Sequence, residues 1–221
     1  FYTRQSAIDY VTENIATYTA TIEMLADYLM PLADTVETPA GYNITLTTAE
    51  SGFTGAGSLS VITRTAALAD TPLFTNNGSL TVENITLEGN SVEASAPMIQ
   101  SAGDLTIELG ATIQNARNSL SGGAINAAAG DITVKGDLKN NSAAAGGAIH
   151  HSGNGTITID GTAEISGNTA TSGNGGAICL AVGSVSVIGT AELSGNKADS
   201  GDGGAIYVGN AVIEVDQNSS I

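Results

Sequence analysis

The stretch GGAIHHSGNGTITIDGTAEISGNTATSGNGGAI, residues 146–178, decides the fold, because it is one complete structural period that begins again where it ends. Its opening tetrad Gly-Gly-Ala-Ile recurs four times, starting at Gly122, Gly146, Gly175 and Gly203, with starts 24, 29 and 28 residues apart. A period of this length that cannot bury its own apolar face is the mark of a stacked repeat. Within the period, apolar pairs separated by one polar residue mark half-buried strands. The pairs are Leu80 with Val82, Leu105 with Ile107, Ile132 with Val134, Ile157 with Ile159, Val185 with Val187, and Ile213 with Val215.

Working outward, Pro97-Met-Ile99 and Pro72-Leu-Phe74 occupy the same slot as Gly-Ala-Ile. Phe74, Ile99, Ile125, Ile149, Ile178 and Ile206 therefore form one register. A third short strand carries Leu87, Ile113, Leu138, Ile165 and Leu193, and four of these lead to an Asn three residues on: Asn90, Asn141, Asn168 and Asn196. The Ile113 coil departs, with Asn115 and Asn118 straddling the place, and this predicts a bulge or shifted turn there. Three strands per period, with Gly and Asn at the corners, wind the chain around three faces and raise it by about 4.8 Å per coil. The fold expected is an all-β, right-handed parallel β-helix, a three-sided solenoid of about six to seven coils over residues 39–221. It is left open to continue beyond the chain end.

The corner residues have physical reasons of their own. The pairs Gly122 and Gly123, Gly146 and Gly147, Gly175 and Gly176, and Gly203 and Gly204 supply positive φ and close backbone passage. Asn90, Asn141, Asn168 and Asn196 tolerate the left-handed region, and their amides can bond along the stack. All twelve are read as structural turn residues. Between the Asn and the Gly pair, the segments at 142–145, 169–174 and 197–202 differ in length and polarity. That edge is the natural place for displayed loops.

Residues 1–38 follow another period. Ile8, Val11, Ile15, Tyr18, Ile22, Leu25, Leu29 and Leu32 alternate spacings of 3 and 4, which predicts an amphipathic α-helix ended by Pro31. Such a helix would cap the solenoid or bind a neighbouring chain, and it is the candidate assembly element. The chain begins at Phe1 with neither an initiator Met nor a signal peptide, and reads as a processed piece of a larger product.

Of 221 residues, 22 are Asp or Glu and six are Lys or Arg, a formal charge of -16 that repels nucleic acid and anionic lipid. Aromatics are 4% with no Trp, while Gly reaches 28, so the core is one of small aliphatics that stack. One cysteine, Cys179, permits no internal disulfide, and no apolar run approaches the length of a membrane span.

Gly-Gly-Ala-Ile combined with Ile/Leu-x-x-Asn resembles the repeats of the chlamydial polymorphic outer membrane proteins, whose motifs are Gly-Gly-Ala-Ile/Leu/Val and Phe-x-x-Asn. Ile165-Ser-Gly-Asn-Thr-Ala170 and Gly203-Gly-Ala-Ile-Tyr-Val208 also look like β-helical surface proteins of gut and environmental bacteria. The resemblance covers residues 40–221, with Ile or Leu where the chlamydial motif has Phe. It implies an extracellular or cell-surface, adhesin-like scaffold that meets a protein or glycan receptor, or other copies of itself.

Two other classes compete. One is a structural subunit of a surface filament or sheath. The other is a polysaccharide-active β-helix enzyme, which needs a base beside a carboxylate cluster. Lys135 and Lys139 near Asp131 and Asp137 form the one mixed-charge group, and it reads as a solvated face. His150 should point outward between Asn126 and Cys179, too few ligands for a closed zinc site. Thr81, Thr106, Thr133, Thr158 and Ser186 make an outward hydroxyl column, which ice-ordering faces also use, but Thr is in any case a good outward strand residue. The expectation is a non-enzyme with no catalytic residue, no metal and no cofactor.

Overall fold

The computed structural model describes residues 18–29, 35–49 and 59–221. They form an all-β parallel solenoid of about seven turns with three sheets. Every named strand pairing is parallel, and each partner lies one coil away.

The first sheet carries two strips of strands. One strip holds the Gly-Gly-Ala-Ile strands, with Val36, Phe74, Ile99, Ile125, Ile149, Ile178 and Ile206 directly above one another. The other stacks the Leu/Ile-Thr-Val/Ile strands. In the early coils a turn separates the two strips, as between Phe74–Asn76 and Ser79–Val82. In the later coils the turn is drawn out into one long strand, Ile149–Ile159, Ile178–Val187 and Ile206–Val215, with a register shift between His151 and Asn154.

The second sheet has seven strands, among them Ile85–Glu88, Thr112–Gln114, Asp137–Lys139, Glu164–Ser166 and Glu192–Ser194. The third runs through the expected loop edge: Ser142–Ala145, Thr169–Ala170 and Lys197–Ala198 are strands, and only the residues after them, at 171–174 and 199–202, remain as turns and bends. Length differences between coils are shared among this edge, the turn before the second-sheet strand and the register shift after His151.

The core is aliphatic, as the composition requires. Leu80, Val82, Leu105, Ile107, Ile132, Val134, Ile157, Ile159, Val185 and Val187 are all buried. Ile213 and Val215 of the last long strand, at 40% and 47% exposure, have no coil on one side.

The expected N-terminal helix is corrected. Thr19–Met24 is a strand in parallel register with Asn43–Thr48, and Tyr28–Leu29 pairs with Ser60–Thr63. Thr-Ala-Thr-Ile-Glu-Met alternates polar and apolar as well as it fits a helical stripe. Its β-branched residues and a waiting parallel neighbour decide for the strand. Ala20, Ile22 and Met24 turn toward the core, whereas Tyr18, Leu25 and Leu29 are 56%, 57% and 69% exposed, so the supposed stripe shares no face. Ile8, Val11 and Ile15 lie outside the described residues.

The bulge or shifted turn expected in the Ile113 coil lies past Ile113 itself. Thr112, Ile113 and Gln114 keep unbroken register with Asp137, Leu138 and Lys139, and the shift comes between Asn118 and Ser121. Asn118 holds it: its amide donates to Ser121 O and Gly122 O at 2.9 and 3.0 Å, and its Oδ1 accepts from Leu120 N at 3.0 Å.

The paired glycines have two separate tasks. The first of each pair, Gly122, Gly146, Gly175 or Gly203, has φ between +58° and +72°. The second passes under the next coil: a Cβ on Gly176 would collide with the backbone of Gly204 and Lys197, whereas one on Gly204 would find nothing nearer than Asn196 O at 3.7 Å. Gly176→Ala is therefore expected to destabilise the chain by about 2 to 3 kcal/mol and Gly204→Ala by less than about 0.5 kcal/mol. Paired denaturant titrations check this, and equal midpoints would refute the close stacking.

Candidate functional site

The repeat places polar side chains in vertical columns inside and outside the coil, and each column has its own chemistry. At the inner corner after the second-sheet strands, asparagine amides form a ladder. Asn141 Nδ2 donates to Asn168 Oδ1 at 3.1 Å and to Ile113 O at 3.0 Å. Asn168 Nδ2 repeats this with Asn196 Oδ1 at 3.0 Å and Leu138 O at 2.9 Å, and Asn196 Nδ2 reaches Ile165 O at 2.7 Å. The Oδ1 atoms also accept backbone N–H groups of the preceding coil, so each amide satisfies donors and acceptors that a strand corner would otherwise orphan.

The residue before each ladder position is left-handed: Asn115, Asn140, Gly167 and Gly195. In the Ile113 coil, Asn115 takes this turn slot and Ala116 the ladder slot, which explains the apparent departure of that coil without any bulge at Ile113. Asn90 is left-handed itself, at φ +54°, and stands outside the ladder, with its N–H on Glu88 Oε1 at 2.6 Å.

On the outward face of the Gly-Gly-Ala-Ile strands, Thr75, Gln100, Asn126, His150, Cys179 and Tyr207 lie in one column, as alternation requires. Asn126 Nδ2 donates to Gln100 Oε1 at 3.1 Å, so Asn126 Oδ1 faces the other way and accepts from His150 Nδ1 at 3.0 Å. This chain places the His150 proton on Nδ1 and leaves Nε2 as an acceptor. Burial, with His151 adding to it, pushes the His150 pKa down, and burial pushes the Cys179 thiol up. A neutral imidazole beside a protonated thiol is hydrogen-bonding chemistry, with no nucleophile prepared.

His151 points the opposite way, into the core, where its Nε2 meets Gly130 O at 2.8 Å and its Nδ1 has no partner among the described residues. It shares a column with Ala127 and Leu180. Alternation from the inward Ile149 was the available signal for this placement.

The mixed-charge group resolves into ion pairs between and within coils. Lys135 Nζ lies 2.8 Å from Glu108, and Lys139 Nζ lies 2.9 Å from Asp137 and 2.8 Å from Glu164. These contacts raise both lysine pKa values, with the hydrogen bonds the leading cause, so neither amine is prepared as a base. No group of three or more His, Cys, Asp or Glu converges among the described residues. Thr81, Thr106, Thr133, Thr158 and Ser186 do form one column, extended downward by Thr45 and Thr21 and ended by Glu214.

Arg64 escaped sequence reasoning altogether. It is fully buried, with Nη1 donating to Ala96 O at 2.8 Å and Nη2 to Thr71 O at 3.1 Å and to Pro97 O. Burial pushes its pKa down to about 10, which leaves it charged at neutral pH. A single Arg among scattered charges carries no sign of this in the sequence.

A family model described as the Chlamydia polymorphic membrane protein repeat matches residues 162–181 and 190–209. Each match contains one ladder asparagine, Asn168 or Asn196, and one glycine pair, Gly175 with Gly176 or Gly203 with Gly204. These coils are similar to polymorphic membrane protein repeats. What the repeat conserves in this chain is therefore the corner chemistry: an amide that closes one turn and a glycine pair that closes the next. The outward column differs between the two polymorphic-membrane-protein-like coils, Cys179 in one and Tyr207 in the other. No curated protein and no solved structure matches the chain. Among the described residues no helix is long and apolar enough to cross a membrane.

Proposed function

We propose that the chain is an exported, cell-surface scaffold of right-handed β-helical form, adhesin-like in use and without catalytic activity. The observation that carries this reading is the coincidence of polymorphic-membrane-protein-like repeats with a solenoid in which the outward column on the Gly-Gly-Ala-Ile strands changes from coil to coil over a repeated interior. A rigid core with variable outward positions is a display device. The net charge of -16 keeps such a rod soluble and turns it away from acidic partners.

Surface display is tested on intact cells expressing the full gene product, with antibodies raised against residues 142–174. Labelling of intact cells is expected; labelling that appears only after permeabilisation refutes the reading. The non-catalytic part is tested separately. The purified chain should release no sugar ends from neutral or acidic polysaccharides, with or without Ca²⁺. Release that disappears in Lys139→Met, the lysine that bridges two carboxylates, would overturn it.

A further inference from the structure

Eighteen Asp, Glu, Lys and Arg residues lie between Pro72 and the end of the chain, yet none falls in the segments 74–78, 99–103, 125–130, 149–155, 178–183 and 206–211. These are the first-strip strands with the turns that follow them in the early coils, and the opening parts of the long strands in the later ones. The solenoid therefore has one uncharged strip along its axis, next to strands that Asp104 opens in one coil and Asp131 immediately precedes in the next. The strip is also nearly free of bulk. The residues after the inward positions are Asn77, Ala102, Ala128, Ser152, Ala181 and Gly209, and Val182 is 39% exposed beyond them, so most of the column of Gln100, Asn126, His150, Cys179 and Tyr207 stands beside a low shelf.

We propose that this strip binds a neutral, hydroxyl-rich polysaccharide laid along the solenoid axis. Planar amides, an imidazole acceptor and a phenol offer donors and acceptors in alternation, which is what sugar hydroxyls need. The hydrogen-bond chain from His150 to Gln100 holds these groups in fixed orientation before the ligand arrives, so little side-chain entropy is lost on binding. It leaves the Gln100 amide N–H groups and His150 Nε2 for a ligand.

Polar groups repeat along the axis every ~4.8 Å, about the length of one sugar residue, so a polymer with its own repeat can meet one coil per unit. Tyr207 supplies an aromatic face at one end of the row. A protein partner would need several buried aromatic or aliphatic anchors, and this column has one aromatic. An acidic polysaccharide would need cations, and the strip has none.

The inference rests on the surface-scaffold reading for where the ligand is met, but the two fail separately. The test is titration calorimetry of the intact chain with β-1,4-linked glucose and N-acetylglucosamine oligomers of two to six residues, with polygalacturonate as the acidic comparison. Binding to a neutral oligomer that strengthens with its length is expected, and it should weaken at least tenfold in the near-isosteric pair Gln100→Glu with Asn126→Asp. The control Thr106→Glu, which adds the same charge on the neighbouring strip, should bind as the parent does. No binding to any neutral oligomer, preference for polygalacturonate, or equal binding by the double variant would overturn the assignment. A chain that binds but is not displayed on cells leaves the strip standing and refutes the scaffold reading alone.

Discussion

Ile178→Asp is expected to abolish the cooperative thermal transition of the chain, followed by circular dichroism in the β region. Ile178 is fully buried in the column between Ile149 and Ile206, with Leu180 as the next inward residue of its own strand. Losing the isoleucine removes about 1.5 to 3 kcal/mol of burial. The carboxyl that replaces it is either charged in a dry stack or protonated with no partner, and each state costs several kcal/mol more. The sum reaches the 5 to 15 kcal/mol that separates a typical domain from its unfolded state. The damage should spread, because a solenoid coil is stabilised chiefly by the coils on either side of it. A variant that melts like the parent would show that Ile178 is not in the interior column.

Arg64→Ala has the second largest expected effect, a loss of about 3 to 5 kcal/mol. The guanidinium satisfies the carbonyls of Thr71, Ala96 and Pro97, which belong to two successive turns of the chain, and among the described residues no carboxylate pairs with it. Truncation leaves two buried acceptors and one part-buried acceptor without this donor, and a cavity the size of the side chain. Arg64→Lys keeps the charge but not the fork, so it should recover only part of the loss. Chemical denaturation of the three proteins under one buffer gives the comparison. If Arg64→Ala unfolds at the parent's midpoint, the guanidinium is not the tie between these turns.

The repeating part of the fold was legible because each element there is over-determined. Ile125, Ile149, Ile178 and Ile206 share a glycine pair, an alternating strand and an Asn-closed corner, and any one of these alone would have set the register. The N-terminal segment offered a single cue. Ile22 sits at helical spacing from Tyr18 and Leu25, and equally at strand spacing from Ala20 and Met24, so only the parallel partner at Asn43–Thr48 decides between them. Periodicity cannot separate the two readings when the apolar residues are few and half-exposed.

The candidate strip was half legible. His150 was placed outward between Asn126 and Cys179 from alternation alone, and the structure puts it there. What the sequence hid was the hydrogen-bond chain that fixes the imidazole, because amide orientation depends on neighbours one coil away. The missing charge along the strip was in the letters all along, but it becomes a surface only when six segments some 25 residues apart are stacked. Arg64 marks the other limit, since a buried cation held by carbonyls depends on backbone positions that no residue pattern announces.

The variable segment before each glycine pair has a consequence for how this rod can change over generations. The coils that carry Asn141, Asn168 and Asn196 present the same amides and strand edges to one another, and the irregular residues at 171–174 and 199–202 lie beside them. A recombination event that removes or copies one whole period would therefore join matching ends. It would shift the far tip by one graduation of about 4.8 Å and leave every remaining coil with a compatible neighbour. Reach is thus a heritable dimension of the molecule, adjustable in fixed steps without redesigning its interior.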